Sequence, residues 1–190
     1  MNHSVVVHLD LDTLVLKPMD ALFDLMLGLS RNTSQVGIMW NDQPLPTPID
    51  AFFTHDYNLV HPRRKHKPIQ GGLLVVRPSL HTYNQFVDIL RKGEFQEGHG
   101  WGGTVGPFYG SMTIQGLLPY FFEALRLGNA VELNRCIHNQ MSDNPRTKDA
   151  KPGEEDQGKC RTGQSKCEDC RESEVDDIVS VHYTVCQKPW

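Results

Sequence analysis

The chain has 190 residues, 38% of them hydrophobic and 22% charged, which is enough for one domain with a real core. A net charge of -4 gives no electrostatic reason to expect nucleic acid as a partner. No apolar run approaches the ~20 residues needed to cross a bilayer, so no membrane segment is expected in this chain, and its first residues lack the basic start and small-residue cleavage site of a signal peptide.

In chain order, residues 5–16 read as one buried strand that carries unexpected acids. Pro18 suits the first helical position, and Met19, Leu22, Phe23, Met26 and Leu29 recur at helical spacing. Residues 36–40 form a short apolar run that predicts a strand, and residues 41–48, with three prolines, a loop. Residues 61–68 are strongly basic, and a solvated loop is the expected reading. A strand is expected over residues 71–76, after a Gly-Gly pair. Ser79 can cap a helix whose apolar face is Leu80, Tyr83, Val87 and Leu90, with Gly93 after its end. Residues 97–110, rich in glycine and aromatics, predict a loop. Ser111 can cap another helix, with Ile114, Leu117, Leu118, Phe121, Phe122 and Leu125 on its apolar side.

Residues 131–141 read as extended. Residues 142–177 contain no Leu, Ile, Met or aromatic residue, so a flexible polar insertion is expected there within a single domain spanning residues 1–190. Residues 178–185 return to a strand pattern. Strands alternating with helices argue for an α/β layered sheet. The five cysteines cannot all pair within one chain; Cys160, Cys167, Cys170 and Cys186 cluster, and both a zinc site and disulfides remain open for them.

The sharpest local feature is His8-Leu9-Asp10-Leu11-Asp12. On a strand, Asp10 and Asp12 point the same way, and two like charges there repel unless a cation lies between them. Hard oxygen ligands suit Mg²⁺ or Mn²⁺. The bland alternative is a pair of strand-end acids that cap the next turn. His8 is expected to pack, and His182 taken alone reads as a satisfied strand histidine.

Four segments, in order along the chain, make a more specific pattern. Residues 7–16 resemble the D-x-D segment of glycosyltransferases of the glycogenin and galactinol synthase type, glycosyltransferase family 8. Gln70-Gly71-Gly72-Leu73-Leu74-Val75-Val76-Arg77-Pro78-Ser79 is similar to that family's N-x-G strand. Ile114-Gln115-Gly116-Leu117-Leu118 resembles its D-Q-G-L-L helix, and residues 182–190 resemble its H-F-x-G-x-x-K-P-W end. The resemblance implies a GT-A-type, Rossmann-like sheet with helices on both faces, incomplete at its N-terminal side. It implies a metal-dependent retaining hexosyltransferase that moves a sugar from a UDP-sugar donor to a carbohydrate or protein acceptor. Asp10, Asp12 and His182 would hold Mn²⁺ or Mg²⁺. Lys188 would contact the diphosphate. Gln70, Gly71, Gly72 and Gln115 would meet the donor, with Gln115 and Lys188 the catalytic pair.

The departures are Ile114 for the family's Asp, Val185 for its Gly, and Gln70 for its Asn. The competing expectations are a truncated non-catalytic remnant and a zinc-binding interaction module built on the cysteine-rich insertion. Localisation, in the Golgi and secretory lumen or the cytoplasm, is left open.

Overall fold

The computed structural model describes residues 3–30, 32–33, 36–38, 44–56, 66–141 and 169–184. Residues 5–16 do not form one strand. The chain runs as β1 (Val6–Leu9), turns, and restarts as β2 (Thr13–Val15), and the two strands enter different sheets. The turn is closed by the Thr13 N–H donating to the Asp10 carbonyl at 3.0 Å. It places Leu11 wholly in solvent. The two acids therefore come from a turn between sheets, not from alternate positions of a strand.

The larger sheet has the order β1-β4-β3-β7, with β3 at Ala51–His55, β4 at Ile69–Val76 and β7 at Ala130–Glu132. It is mixed: β1–β4 and β3–β4 are antiparallel, and β3–β7 is parallel. The smaller sheet has the order β2-β9-β8, where β8 is Gln140–Met141 and β9 is Ser180–His182.

Strand alternation sends side chains of the larger sheet to two cores. Phe52, Leu73, Val75 and Val131 pack against Leu22, Leu25 and Met26 of α1 (Asp20–Leu27). Phe53 and Leu74 face the other way, toward Leu118 of α3 (Ile114–Pro119), and Ile69 joins them beyond the register shift between β3 and β4. Helices thus cover both faces of an α/β sheet.

Local chemistry sets the helix ends. α1 stops at Gly28, whose φ of 75° is left-handed, and Met19 is its N-cap. Pro18 therefore precedes the helix, and Leu29, beyond its end, is exposed. α2 (Leu80–Lys92) begins at Ser79, whose hydroxyl accepts from the Thr82 N–H at 3.2 Å, and ends at Gly93. Its expected face is wrong. Leu80, Tyr83 and Leu90 are exposed, because the core beneath α2 is aromatic and draws in Phe86 and Ile89 instead. Phe86 stacks on Phe121 at 4.1 Å.

Thr113, not Ser111, caps α3, and Pro119 inside the helix lacks the N–H of a regular turn. The chain continues as a π-helical turn, Tyr120–Ala124. The expected loop over 97–110 holds a short hairpin of β5 (Phe95–Gln96) and β6 (Gly100–Trp101), because Trp101 is buried between Phe95 and Tyr120. The run 36–40 gives, among the described residues, only a bridge from Ile38 to Leu133. Residues 131–141 divide between β7 and β8, separated by a turn in which the His138 N–H donates to the Asn134 carbonyl.

Cys170 bonds to Cys136, outside the cysteine cluster, so it is not a zinc ligand paired with Cys167. Residues 169–177 carry two single-turn 3₁₀ helices, Cys170–Glu172 and Val175–Asp177, and Gln140 Nε2 donates to the Cys170 carbonyl at 2.6 Å. Cys160, Cys167, Cys186, Val185 and Lys188, with the rest of the insertion and most of the basic loop, lie outside the described residues.

Candidate metal centre

The site forms where the two sheets meet. The β1–β4 ladder continues one step past β1, as the Asp10 N–H donates to the Gly72 carbonyl at 3.2 Å. The Thr13 hydroxyl donates to the same carbonyl at 3.2 Å. The turn of residues 10–12 is thereby pinned to β4 from both sides. On the other sheet, Thr13 pairs with His182, and the Tyr183 N–H donates to the Asp12 carbonyl at 2.9 Å. Strand pairing alone thus brings residues 170 positions apart into register.

The result is a cluster of three ligands. His182 Nε2 lies 3.1 Å from Asp12 Oδ1 and 3.5 Å from Asp10 Oδ2. One ligand atom from each residue falls within 4.8 Å of the other two. His182 is buried, Asp12 half-buried, and the Asp10 side chain 44% exposed, so the cluster opens to solvent on the Asp10 side. The donor set fits a divalent cation. Nε2 and the two carboxylates converge on one point, while Nδ1 turns into the protein, and an imidazole with two carboxylates suits Mn²⁺ better than Mg²⁺.

Gly72 makes this packing feasible. A Cβ built there would lie 2.1 Å from His182 Nδ1 and 2.3 Å from its Cε1. No side chain fits, so the glycine is required by the approach of the imidazole.

The cluster lies in an open cavity of about 330 Å³ that Gln70, Gly71, Ile114 and Gln115 also line. Gly72 is not on the cavity wall; it sits beneath His182. Gln70 is partly committed elsewhere, as its Oε1 accepts from the Gly72 N–H at 2.9 Å and its Nε2 reaches Met141 Sδ at 3.4 Å. Thr113 and Thr184 also line the cavity, and nothing in the apolar pattern marks either one. His8 does not pack inside. Val5 and Val7 take the core face of β1, so His8 must face the other way, and its Nε2 sits 3.6 Å from Asp10 Oδ1 at the cavity rim.

A second polar cluster lies where β3 meets the π-helical turn after α3. His55, at the end of β3, faces Glu123 Oε1 at 2.6 Å through Nε2 and Glu132 Oε1 at 2.9 Å through Nδ1. His66 Nδ1 reaches the other Glu123 oxygen at 3.6 Å. Burial by itself lowers the pKa of His55, but the bonds to Glu123 and Glu132 outweigh it and push it up to about 9. Burial likewise opposes ionisation of Glu123, yet the bonds from His55 and His66 hold it down at about 2. The π-helical turn that carries Glu123 follows directly on α3, which carries Gln115, so this ion cluster ties α3 to the sheet. His55 and Glu123 are 68 residues apart, and no spacing rule links them in the sequence.

Among the described residues, no helix is long and apolar enough to cross a membrane. No protein-family model and no curated protein matches the sequence. The crystal structure of an active-site mutant of LgtC is similar, with a TM-score of 0.46 and 13% identity, covering 100% of this chain and 56% of that one. This chain therefore spans little more than half the length of that protein.

Proposed function

We propose that this chain is the metal-binding part of a GT-A-type, retaining glycosyltransferase that transfers a hexose from a UDP-sugar to a carbohydrate or protein acceptor. The observation that supports it is the meeting of Asp10, Asp12 and His182 in a cavity shared with Gln70, Gly71 and Gln115. The sequence segments that resemble glycosyltransferase family 8 predict the same residues to meet. Bond cleavage leaves negative charge on the departing diphosphate, and stabilising that charge is the largest contribution such a site makes. A bound divalent cation supplies Lewis-acid stabilisation of that charge.

On this reading Asp10, Asp12 and His182 hold the cation. The Gln115 amide orients the sugar from the end of α3, with Gln70 and Gly71 on the adjoining wall. Lys188 adds a point charge on the diphosphate, and Gly72 serves the donor site indirectly, by giving His182 its place. Ile114 replaces a carboxylate with an apolar surface on the sugar side, so the preferred hexose is one that offers a less polar edge there. Among the described residues β1 and β2 are both edge strands, and Val6, Leu9, Leu14 and Val15 are exposed.

The test is release of UDP from a panel of UDP-hexoses, which needs no identified acceptor, with Mn²⁺ or with EDTA. Turnover that requires the cation and disappears in Asp12→Ala is the expected result. Equal turnover in EDTA would sink the proposal.

A further inference from the structure

A second cavity lies at the other end of β4 from the metal centre. The metal cluster packs on Gly72, and Arg77 follows the end of the strand, roughly 17 Å further along at ~3.3 Å per residue. The cavity has a volume of about 950 Å³, within the range of small-molecule sites, and shares no described residue with the cavity at the metal centre.

Its described walls are the last turn of α1, with Leu25 and Met26, and the run Leu45-Pro46-Thr47-Pro48-Ile49. Proline fixes φ, so the second wall is stiff. Among the described residues no aromatic ring lines the cavity, so its surface suits a saturated chain better than a flat ring.

Arg77 is the one charged residue among the described lining residues. Its Nε donates to the Ile49 carbonyl at 3.1 Å, and its Nη2 donates to the Met26 carbonyl. These bonds hold one edge of the planar fork, while Nη1 makes no hydrogen bond or ion pair with any described residue. Carbonyls orient a guanidinium but do not neutralise it. The C-terminal end of α1 offsets no more than about half an elementary charge. A half-buried cation thus borders a largely apolar cavity with no carboxylate in ion-pair reach among the described residues.

We propose that this cavity binds an aliphatic monocarboxylate of the fatty-acid kind. The carboxylate pairs with Arg77 Nη1, and the chain lies between Leu25, Met26 and Ile49 on one side and the proline wall on the other. The head group supplies a charge-assisted hydrogen bond, and each methylene removed from water adds affinity. The site is independent of the metal centre and of the sugar-transfer reading.

The test uses the full chain in EDTA, so that no bound cation holds a carboxylate. Decanoate is titrated while the methyl signals of Leu25, Met26 and Ile49 are followed by ¹H–¹³C NMR, and calorimetry gives the affinity. Saturable shifts at these three residues, with Val181 beside the metal centre unmoved, are the expected result. 1-Decanol removes the charge from the ligand and leaves the protein untouched; it is expected to bind about 10–100-fold more weakly, through loss of the charge-assisted bond. Arg77→Gln should lose decanoate affinity to a similar extent. Because Arg77 also joins α1 to the chain entering β3, a second variant leaves it in place. Leu45→Trp fills the cavity and is expected to abolish decanoate binding, with a thermal melt to verify the fold. Decanoate that shifts none of these methyls, 1-decanol that binds as tightly as decanoate, or folded Leu45→Trp that binds decanoate like wild type would overturn the proposal.

Discussion

Gly72→Ala isolates the packing beneath the metal centre with the smallest possible change. The added methyl carbon would start 2.1 Å from His182 Nδ1 and 2.8 Å from Asn139 Oδ1. Ordinary non-bonded contact begins near ~3.5 Å, so the imidazole must retreat by more than about 1 Å. It has little room, being 3% exposed and set by the pairing of β9 with β2. Metal ligands tolerate displacements of only about 0.2 Å, so a retreat of this size removes the imidazole from the ligand set. We expect Mn²⁺ affinity to fall at least about 100-fold. Overpacking should cost about 1–3 kcal/mol, which for a chain of this length lowers the melting temperature by roughly 3–10 °C.

The neighbouring glycine is the control. A Cβ on Gly71 would meet Ile114 Cγ2 at 3.5 Å, an ordinary contact, so Gly71→Ala should keep both the fold and Mn²⁺ binding. The assay is a Mn²⁺ titration by electron paramagnetic resonance beside a thermal melt for each variant. A Gly72→Ala protein with wild-type affinity and melting temperature, or two variants that behave alike, would refute this account.

Three further outcomes are expected. Glu123→Gln should destabilise the fold by about 1–3 kcal/mol near neutral pH, because it removes one of the two carboxylates that face the buried His55 and leaves Glu132 as the other, and chemical denaturation measures it. The same cluster sets a pH window. The contribution of Glu123, lowered from 4.5 to about 2, is complete above pH 4.5 and is lost as pH falls through 2, while that of His55, raised from 6.5 to about 9, is complete below pH 6.5 and is lost as pH rises through 9. Stability that is flat from pH 6.5 to 9.5 in wild type would contradict the His55 assignment. Reduction of the Cys136–Cys170 bond, or Cys136→Ser, should cost about 4 kcal/mol from the freed loop and expose residues 169–177 to proteolysis first; an unchanged melt under reductant would count against it.

What the sequence made legible is what local chemistry decides. Ser79 and Gly93 bound α2 as expected, and the Pro18 region does open a helix, because capping needs only a few adjacent residues. Patterns that depend on distant partners misled. Apolar alternation over residues 5–16 reads the same for one strand as for two strands in different sheets, and only the partners β4 and β9 separate them. The face of α2 was misread because Leu80, Tyr83 and Leu90 match helical spacing as well as Phe86 does, and the choice belongs to Phe121 across the core. The crowding of Cys160, Cys167, Cys170 and Cys186 leaves a zinc site and disulfides open, and the partner of Cys170 lies outside that cluster, 34 residues upstream. No periodicity connects Asp12 with His182 either; their meeting was expected only through the set of ordered motifs.

The break between β1 and β2 explains why the cluster forms at all. On a continuous strand, Asp10 and Asp12 would project from a single sheet, with β9 free to pair anywhere along its edge. The turn instead hands the chain from the sheet of β4 to the sheet of β9 within three residues, and both sheets fasten to it: Gly72 through its carbonyl, Tyr183 through its N–H. Two carboxylates held this close repel each other, a cost the folded chain tolerates where solvent or a cation screens it. Exposure of Asp10 supplies the solvent, and the buried imidazole supplies a ligand that solvent does not displace. Side chains fixed by strand pairing inherit the rigidity of the ladders that hold them, so the Asp10, Asp12 and His182 cluster is assembled by the fold itself, with Gly72 leaving room for the imidazole.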